Sequence, residues 1–231
     1  MFSLSHEEWI AIGLSLRIAM VATLVSLPVA VATALLLARG RFPGKSLLDG
    51  LVHLPLVLPP VVTGFALLLL FGRRGPIGAV LADMGIVLAF RWTGAALASG
   101  VMAFPLMVRA IRLSIEAIDP RLEAAAGTLG ANRIWTFLLV TLPLAMPGIL
   151  VGAILAFAKA LGEFGATITF MSNIPGETQT ISAAIYSLTQ TPGGDFAALR
   201  LACIAGAIAL AALVISELLQ RRAVARVRGF A

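Results

Sequence analysis

The chain is cut into apolar runs long enough to cross a lipid bilayer, and this constrains its fold more than anything else in the sequence. A hydrocarbon layer about 30 Å thick is crossed by a helix of about 20 mostly apolar residues. Five stretches qualify: about Ile10–Leu37, Leu54–Phe71, Val87–Ile111, Pro143–Phe170 and Leu199–Leu219. In lipid every backbone polar group must be satisfied internally, which leaves helices or closed barrels. Continuous apolar runs, rather than alternation, select helices. The expected fold is all-α, a polytopic transmembrane helical protein of about five spans, with residues 1–231 as one membrane domain. Composition agrees: 60% of the residues are hydrophobic and 12% charged, against about 25% charged in a soluble domain. The stretch Thr178–Thr189 is mildly apolar but too short to span, and is expected either to be re-entrant or to pack on the outer face.

Charge placement sets the expected orientation. The net charge of +6 would suggest nucleic acid in a soluble protein, but the basic residues cluster between apolar runs, so nucleic acid is excluded as a partner. Arg39, Arg41 and Lys45 follow the first run. Arg109, Arg112, Arg121 and Arg133 surround the segment between the third and fourth, and Arg221, Arg222, Arg226 and Arg228 lie in the tail. With five spans these groups share one side, the cytoplasm by the positive-inside rule. The N-terminus is therefore expected outside and the C-terminus in the cytoplasm. Arg73, Arg74 and Arg91 fall on the outer side, against the rule. The opening stretch carries Glu7 and Glu8 and no Lys or Arg before the first run, the reverse of a signal peptide, so that run reads as a retained span. The one cysteine, Cys203, lies in an apolar run and excludes an intrachain disulfide or a cysteine-based metal site.

Prolines punctuate the spans at Pro28, Pro55, Pro59, Pro60, Pro105, Pro143 and Pro147. Each removes a backbone donor and favours a kink, which suits a moving transporter. The segment 119–139 is long and reads as two short helices. Asp119-Pro120 is a helix start, Asp as cap and Pro in the first turn. Leu122–Leu129 is rich in small residues, and Gly130 supplies the left-handed residue that ends it. Asn132–Leu139 is the second helix, amphipathic through Ile134, Trp135, Leu138 and Leu139. Small residues allow another surface to approach the helix closely, as a docking helix requires. The alternative is a loop lying passively on the membrane.

The run Glu123-Ala124-Ala125-Ala126-Gly127-Thr128-Leu129-Gly130-Ala131, followed by Val140-Thr141-Leu142-Pro143, resembles the "EAA" loop of ATP-binding-cassette importer permeases. That pattern places Gly six residues after Glu and an Ile two before Leu-Pro. Here Gly130 is seven residues after Glu123 and Val140 replaces the Ile, so alignment on Gly130 puts Ala124 at the usual Glu position. Leu56-Val57-Leu58-Pro59-Pro60-Val61-Val62-Thr63-Gly64, Phe71-Gly72-Arg73-Arg74-Gly75-Pro76, Ala160-Leu161-Gly162-Glu163-Phe164-Gly165-Ala166-Thr167 and Asn173-Ile174-Pro175-Gly176-Glu177-Thr178-Gln179-Thr180 extend the likeness to nearly the whole chain. Together they resemble the molybdate-importer permeases. Sulfate and thiosulfate permeases share the Leu-Gly-Glu-Phe/Tyr-Gly segment but vary the Ile-Pro-Gly-Glu-Thr-Gln-Thr run.

The resemblance implies an inner-membrane, multi-pass permease that imports molybdate or tungstate, with a sulfate or thiosulfate permease as the alternative. It implies a homodimer, two ATPase subunits docked on residues 119–139, and an extracytoplasmic substrate-binding protein. Glu123, Ala124, Ala125, Ala126, Gly127, Leu129, Gly130 and Ala131 would form the coupling loop. The chain is not expected to be an enzyme or to bind a cofactor, since ATP and magnesium would reside on the ATPase. Gly40-Arg41-Phe42-Pro43-Gly44-Lys45-Ser46 is one residue short of a phosphate-binding loop and lies between spans, not after a strand.

For the pathway or gate the candidates are Pro59, Pro60, Thr63, Lys159, Glu163 and Thr167. Lys159 and Glu163 are four apart and are expected to pair on one helix face. A charge at mid-bilayer costs about 2.5–3.5 kcal/mol or more, so neither should face lipid. They line the pathway or tie the fourth span to a neighbour. Thr63-Gly64, Thr167, Thr169 and Ser172 offer polar surface to an anion or serve packing, and Pro59-Pro60 would break the second span. Arg73, Arg74 and Arg91 would attract an anion, contact a binding protein or meet lipid headgroups. Gly148-Ile149-Leu150-Val151-Gly152 is a close-packing GxxxG within the subunit or across a dimer. His6 and His53 are isolated, and no catalytic or metal-binding set can be assembled. An ion-coupled secondary transporter, the other class considered, would need coupling acids in the membrane and commonly an inverted repeat. One acid pair and no repeat are visible.

Overall fold

The computed structural model describes residues 4–228 apart from Ser172, with side chains described as far as Leu219. The described residues are helical throughout, with no strand. Helix α1 (His6–Arg39) begins in a capping box, Ser5 N–H to Glu8 at 2.6 Å and Glu8 N–H to Ser5 Oγ at 3.2 Å. Helix α5 (Trp92–Glu116) is the most enclosed of the long helices, and α8 (Leu142–Leu161) packs along it. The contact surfaces of these three helices are built from small and branched residues: Ala19, Ala22, Ala30 and Ala34, then Ala103, Met107 and Ile111, then Ala145, Ile149 and Ala156. Lipid is as apolar as leucine, so helices in a membrane associate through close packing of small residues rather than a hydrophobic drive. Gly148 and Gly152 serve that packing inside the subunit. A β-carbon on Gly148 would strike Ser114, and one on Gly152 would press the Met107 carbonyl, both on α5.

The second apolar run is not one helix. It divides into α2 (Lys45–Val57) and α3 (Pro60–Phe71), bent by 115°. The cause lies in Pro59 and Pro60. A residue preceding proline is driven out of the helical region, and both Leu58 (ψ 143°) and Pro59 (ψ 134°) are extended. At 1.5 Å per residue, α2 and α3 are each about 20 Å long or less, so neither crosses the membrane alone. The fourth run is also broken. Residues 133–161 form one continuous helical span, Gly162–Phe164 leave the helix, and α9 (Gly165–Phe170) follows.

Helix α4 (Pro76–Asp83) follows α3 directly. Helix α10 (Ile181–Thr189) is too short to span, and its Ile181 and Ala184 pack against Ala11 and Ile12 of α1 and Leu201 of α11 (Asp195–Arg228). Arg200 of α11 grips both Glu8 oxygens at 2.6 Å, so α1 and α11 start at the same end of the bundle. At the other end Arg112 joins Asp49 (3.0 Å) and Glu116 (2.7 Å), tying α2 to α5.

Candidate functional site

The segment between α5 and α8 differs from the expected pair of helices. Helix α6 (Pro120–Thr128) starts where Asp119-Pro120 places it, with Asp119 as its cap accepting from Arg121 N–H at 2.9 Å. It closes in a Schellman turn: Ala131 N–H bonds Ala126 O, Gly130 N–H bonds Gly127 O, and Gly130 stands at φ 89°. The second element is not a separate helix. Asn132 caps α7 (Arg133–Thr136), which runs through a π-helical segment, Phe137–Thr141, straight into α8. Wider turns of this kind arise where one residue is inserted into a helix and are frequent at functional sites.

No residue of α6 is buried. Ala124, Ala125, Gly127, Leu129 and Gly130 are exposed, and a β-carbon on Gly127 would meet nothing. Leu129 (89% exposed), Ile134 (69%) and Trp135 (55%) place large apolar groups at the same end of the molecule. Glu123 points the other way. Its carboxylate takes Arg39 Nε of α1 at 3.2 Å and the Thr141 hydroxyl of the π segment at 2.8 Å, while Arg39 also donates to Ile118 O at 3.0 Å. Glu123 therefore anchors the loop from within, holding it to the end of α1 and the start of the fourth span. Sequence reasoning counted Arg39 only as a topology signal and gave Thr141 no role.

The six pathway candidates gather where the two broken spans meet. Gly165 sits so close to α3 that a β-carbon would stand 2.7 Å from Pro60 Cβ, and one on Gly64 would overlap Thr169 Oγ1 and the Ala166 backbone. Glu163 is 3% exposed. One of its oxygens accepts from Lys159 Nζ at 2.6 Å, the other from Ala166 N–H at 3.1 Å at the start of α9. The pair forms as expected, but Glu163 lies beyond the end of α8 rather than on a continuous helix face. Thr167 and Thr169 spend their hydroxyls on backbone carbonyls, Glu163 and Phe164 for one, Gly165 and Ala166 for the other. Thr63 is buried with its hydroxyl unpaired. Ser172 lies outside the described residues. No group of His, Cys, Asp and Glu able to hold a metal occurs among the described residues.

Comparison with known proteins identifies the family. Residues 26–229 match the family described as binding-protein-dependent transport system inner membrane component. The chain is 59% identical over 219 residues to the molybdenum transport system permease protein ModB of Escherichia coli K12, covering 94% of this chain and 96% of that one. The chain belongs to the molybdenum transport permease family. The Haemophilus influenzae protein of that name is 55% identical over 92% of this chain and 93% of its own length. The sulfate transport permease CysW of Synechococcus elongatus stands further off, at 39% identity over 90% of this chain and 74% of its own length. Among solved structures, a bacterial ABC transporter that imports the acidic polysaccharide alginate matches with a TM-score of 0.74 over 95% of this chain and 80% of that one, at 22% identity. That likeness establishes the shared permease fold. The chain is accordingly a multi-pass, all-helical membrane component, and the family places the exposed α6 face and the broken-span junction in a transport permease.

Proposed function

We propose that the chain imports molybdate as one of two identical permease subunits, with the pathway formed at the α3–α9 junction and its counterpart. The orientation puts α6 in the cytoplasm and the starts of α1, α5 and α11 outside. Two ATPase subunits dock on residues 119–139, and a binding protein delivers the anion from the outer side. ATP and magnesium belong to the ATPase, and this chain supplies the docking surface, the anchor and the gate.

The observation that carries the substrate is the 59% identity to a molybdenum permease along nearly the whole chain, against 39% to a sulfate permease. The observation supporting the docking role is a helix rich in small residues, none of them buried, with an internally anchored glutamate. A docking helix must offer its backbone to a partner without shifting on its own base, and Glu123 meets the second need. At the gate, irregular backbone at membrane depth is tolerated where it lines a cavity or is buried in protein, and two such breaks abut here. Thr63 is the pathway candidate whose hydroxyl is left without a partner, buried within this subunit.

The test is uptake of labelled molybdate at low concentration in cells with and without the chain, partner subunits confirmed present, with excess sulfate as competitor. Chain-dependent uptake that resists sulfate is expected. Uptake abolished by sulfate moves the substrate to sulfate or thiosulfate, and absence of chain-dependent uptake overturns the transport reading.

A further inference from the structure

Three arginines stand against the positive-inside rule, and the structure brings two of them together. Arg73 and Arg91 line one pocket of about 290 Å³ with Val87, Ala89 and Phe90. Arg91 caps α5 at its start, so it lies a helix of 25 residues, about 37 Å, from the end that leads into α6. Both arginines are exposed, and neither makes an ion pair among the described residues. Arg74 adjoins them and is also unpaired. Like charges sharing one small pocket repel, and no carboxylate among the described residues pairs with either of them. Arg39 and Arg112 at the opposite end, and Arg200 beside Glu8, show the alternative, an arginine that holds a carboxylate.

The backbone of the pocket is strained. Phe90 has φ 61°, and it is the one non-glycine residue with positive φ among those described. A bulky residue there is a true outlier, and such strain persists only where surrounding structure enforces it, commonly at functional sites. The enforcing contacts are visible: Phe90 N–H bonds Phe170 O at 3.2 Å, and Arg91 N–H bonds Leu88 O at 3.3 Å. Phe170 is fully buried at the end of α9, the helix that Glu163 caps. The strained turn therefore fixes Arg91 at the pocket rim and joins the pocket to the broken-span junction.

We infer that Arg73 and Arg91 form a subsite for a tetrahedral oxyanion at the outer mouth, which takes the anion on its way to the α3–α9 junction. The identity of that anion as molybdate rests on the transport reading above. Guanidinium groups present paired donors that match oxyanion geometry, and a cleft of one charge sign raises the local concentration of an opposite ion by about tenfold or more. With both arginines exposed the subsite binds weakly and lets its anion go, as a transport step requires.

The test is modification of Arg73 and Arg91 by phenylglyoxal, read by mass spectrometry on the assembled transporter in nanodiscs. Protection needs no turnover, so it separates this inference from the transport reading. In phosphatidylcholine alone, millimolar molybdate is expected to slow modification of both arginines severalfold while leaving the exposed Arg41 unchanged. In vesicles, R73Q/R91Q is expected to lower uptake about tenfold with the half-saturating concentration of binding protein unchanged, and R73K/R91K to restore much of it. No protection by molybdate overturns the subsite. Protection by phosphatidylglycerol alone assigns the arginines to lipid headgroups, and protection by the binding protein alone assigns them to docking. Either result replaces the inference.

Discussion

Glu123 offers a perturbation whose size follows from its contacts. Replacing it with glutamine keeps an amide oxygen to accept from Thr141, now 2.8 Å away, and removes the ion pair with Arg39 at 3.2 Å. Their side chains are 27% and 22% exposed, so the pair sits near the solvent-screened end of the scale, about 1 kcal/mol. E123A also loses the charged hydrogen bond from Thr141, a further contribution of about 1.5 kcal/mol. These amounts do not threaten five packed spans, but they govern where α6 sits. In affinity terms, about 1.4 kcal/mol is tenfold, so ATPase docking should weaken roughly fivefold in E123Q and several tenfold in E123A. The assay is titration of the purified ATPase onto the purified permease, with circular dichroism and size exclusion confirming that the fold survives. The decisive arm is a cycle with R39A. If Glu123 acts through Arg39, E123Q in the R39A background adds less than about twofold. Fully multiplicative effects of R39A and E123Q would mean that Glu123 meets the ATPase directly, and would refute the anchor.

Other substitutions separate packing, gate and loop. At the Lys159–Glu163 pair, K159A strands a buried carboxylate and should cost about 3–5 kcal/mol, seen as poor folding yield, whereas K159M/E163Q should recover the yield; equal yields for the single and double variants would show the charge pair to be structurally idle. G64A would drive a methyl into Thr169 and the Ala166 backbone, so molybdate uptake should fall severely while membrane insertion persists, and normal uptake would place the pathway away from α3–α9. G130A meets no neighbouring atom, so its effect is the left-handed backbone alone, about 1–2 kcal/mol, and docking should weaken by about tenfold or a little more. G130N should lie between G130A and the parent, since asparagine tolerates that conformation better.

Element type was legible in the sequence because a bilayer leaves few options. Four long helices stand close to where the apolar runs place them. Their ends are less legible: α5 starts at Trp92 rather than Val87 and runs on to Glu116, because Arg91 serves as its cap and the strained Phe90 turn precedes it. The break at Pro59-Pro60 was readable from proline chemistry. The break at Gly162–Phe164 was not, since the same residues satisfy a helical pattern and the deciding contact is Glu163 capping α9 through Ala166. The joining of the loop's second helix to α8 also escaped, because Leu142-Pro143 looks like a new start although Pro in the first turn of a helix lacks only a donor that is unneeded there. At the loop, small-residue composition identified an approachable helix, but composition carries no direction. That Glu123 faces Arg39 and Thr141 depends on residues 84 and 18 positions away.

Past its junction with α6, the fourth span links the exposed α6 face to the broken-span junction through one helical body. Residues 133–161 are one helical body of 29 residues, about 44 Å long. Its first turn adjoins the docking surface, and Lys159, at its far end, holds the carboxylate that caps α9. Along its length Gly148 and Gly152 seat it directly on α5, the most enclosed helix, so it cannot bend away without opening backbone contacts. Under the proposed docking, a displacement imposed at residues 119–132 should therefore reach Glu163 as tilt of this one helical body. At both ends the connection is made by backbone outside the α-helical ladder, the π segment bonded to Glu123 and the turn Gly162–Phe164. Hinges belong at element termini, which absorb dihedral change without breaking a helix. Where α9 meets α3, Gly64 and Gly165 leave no slack between the two helices.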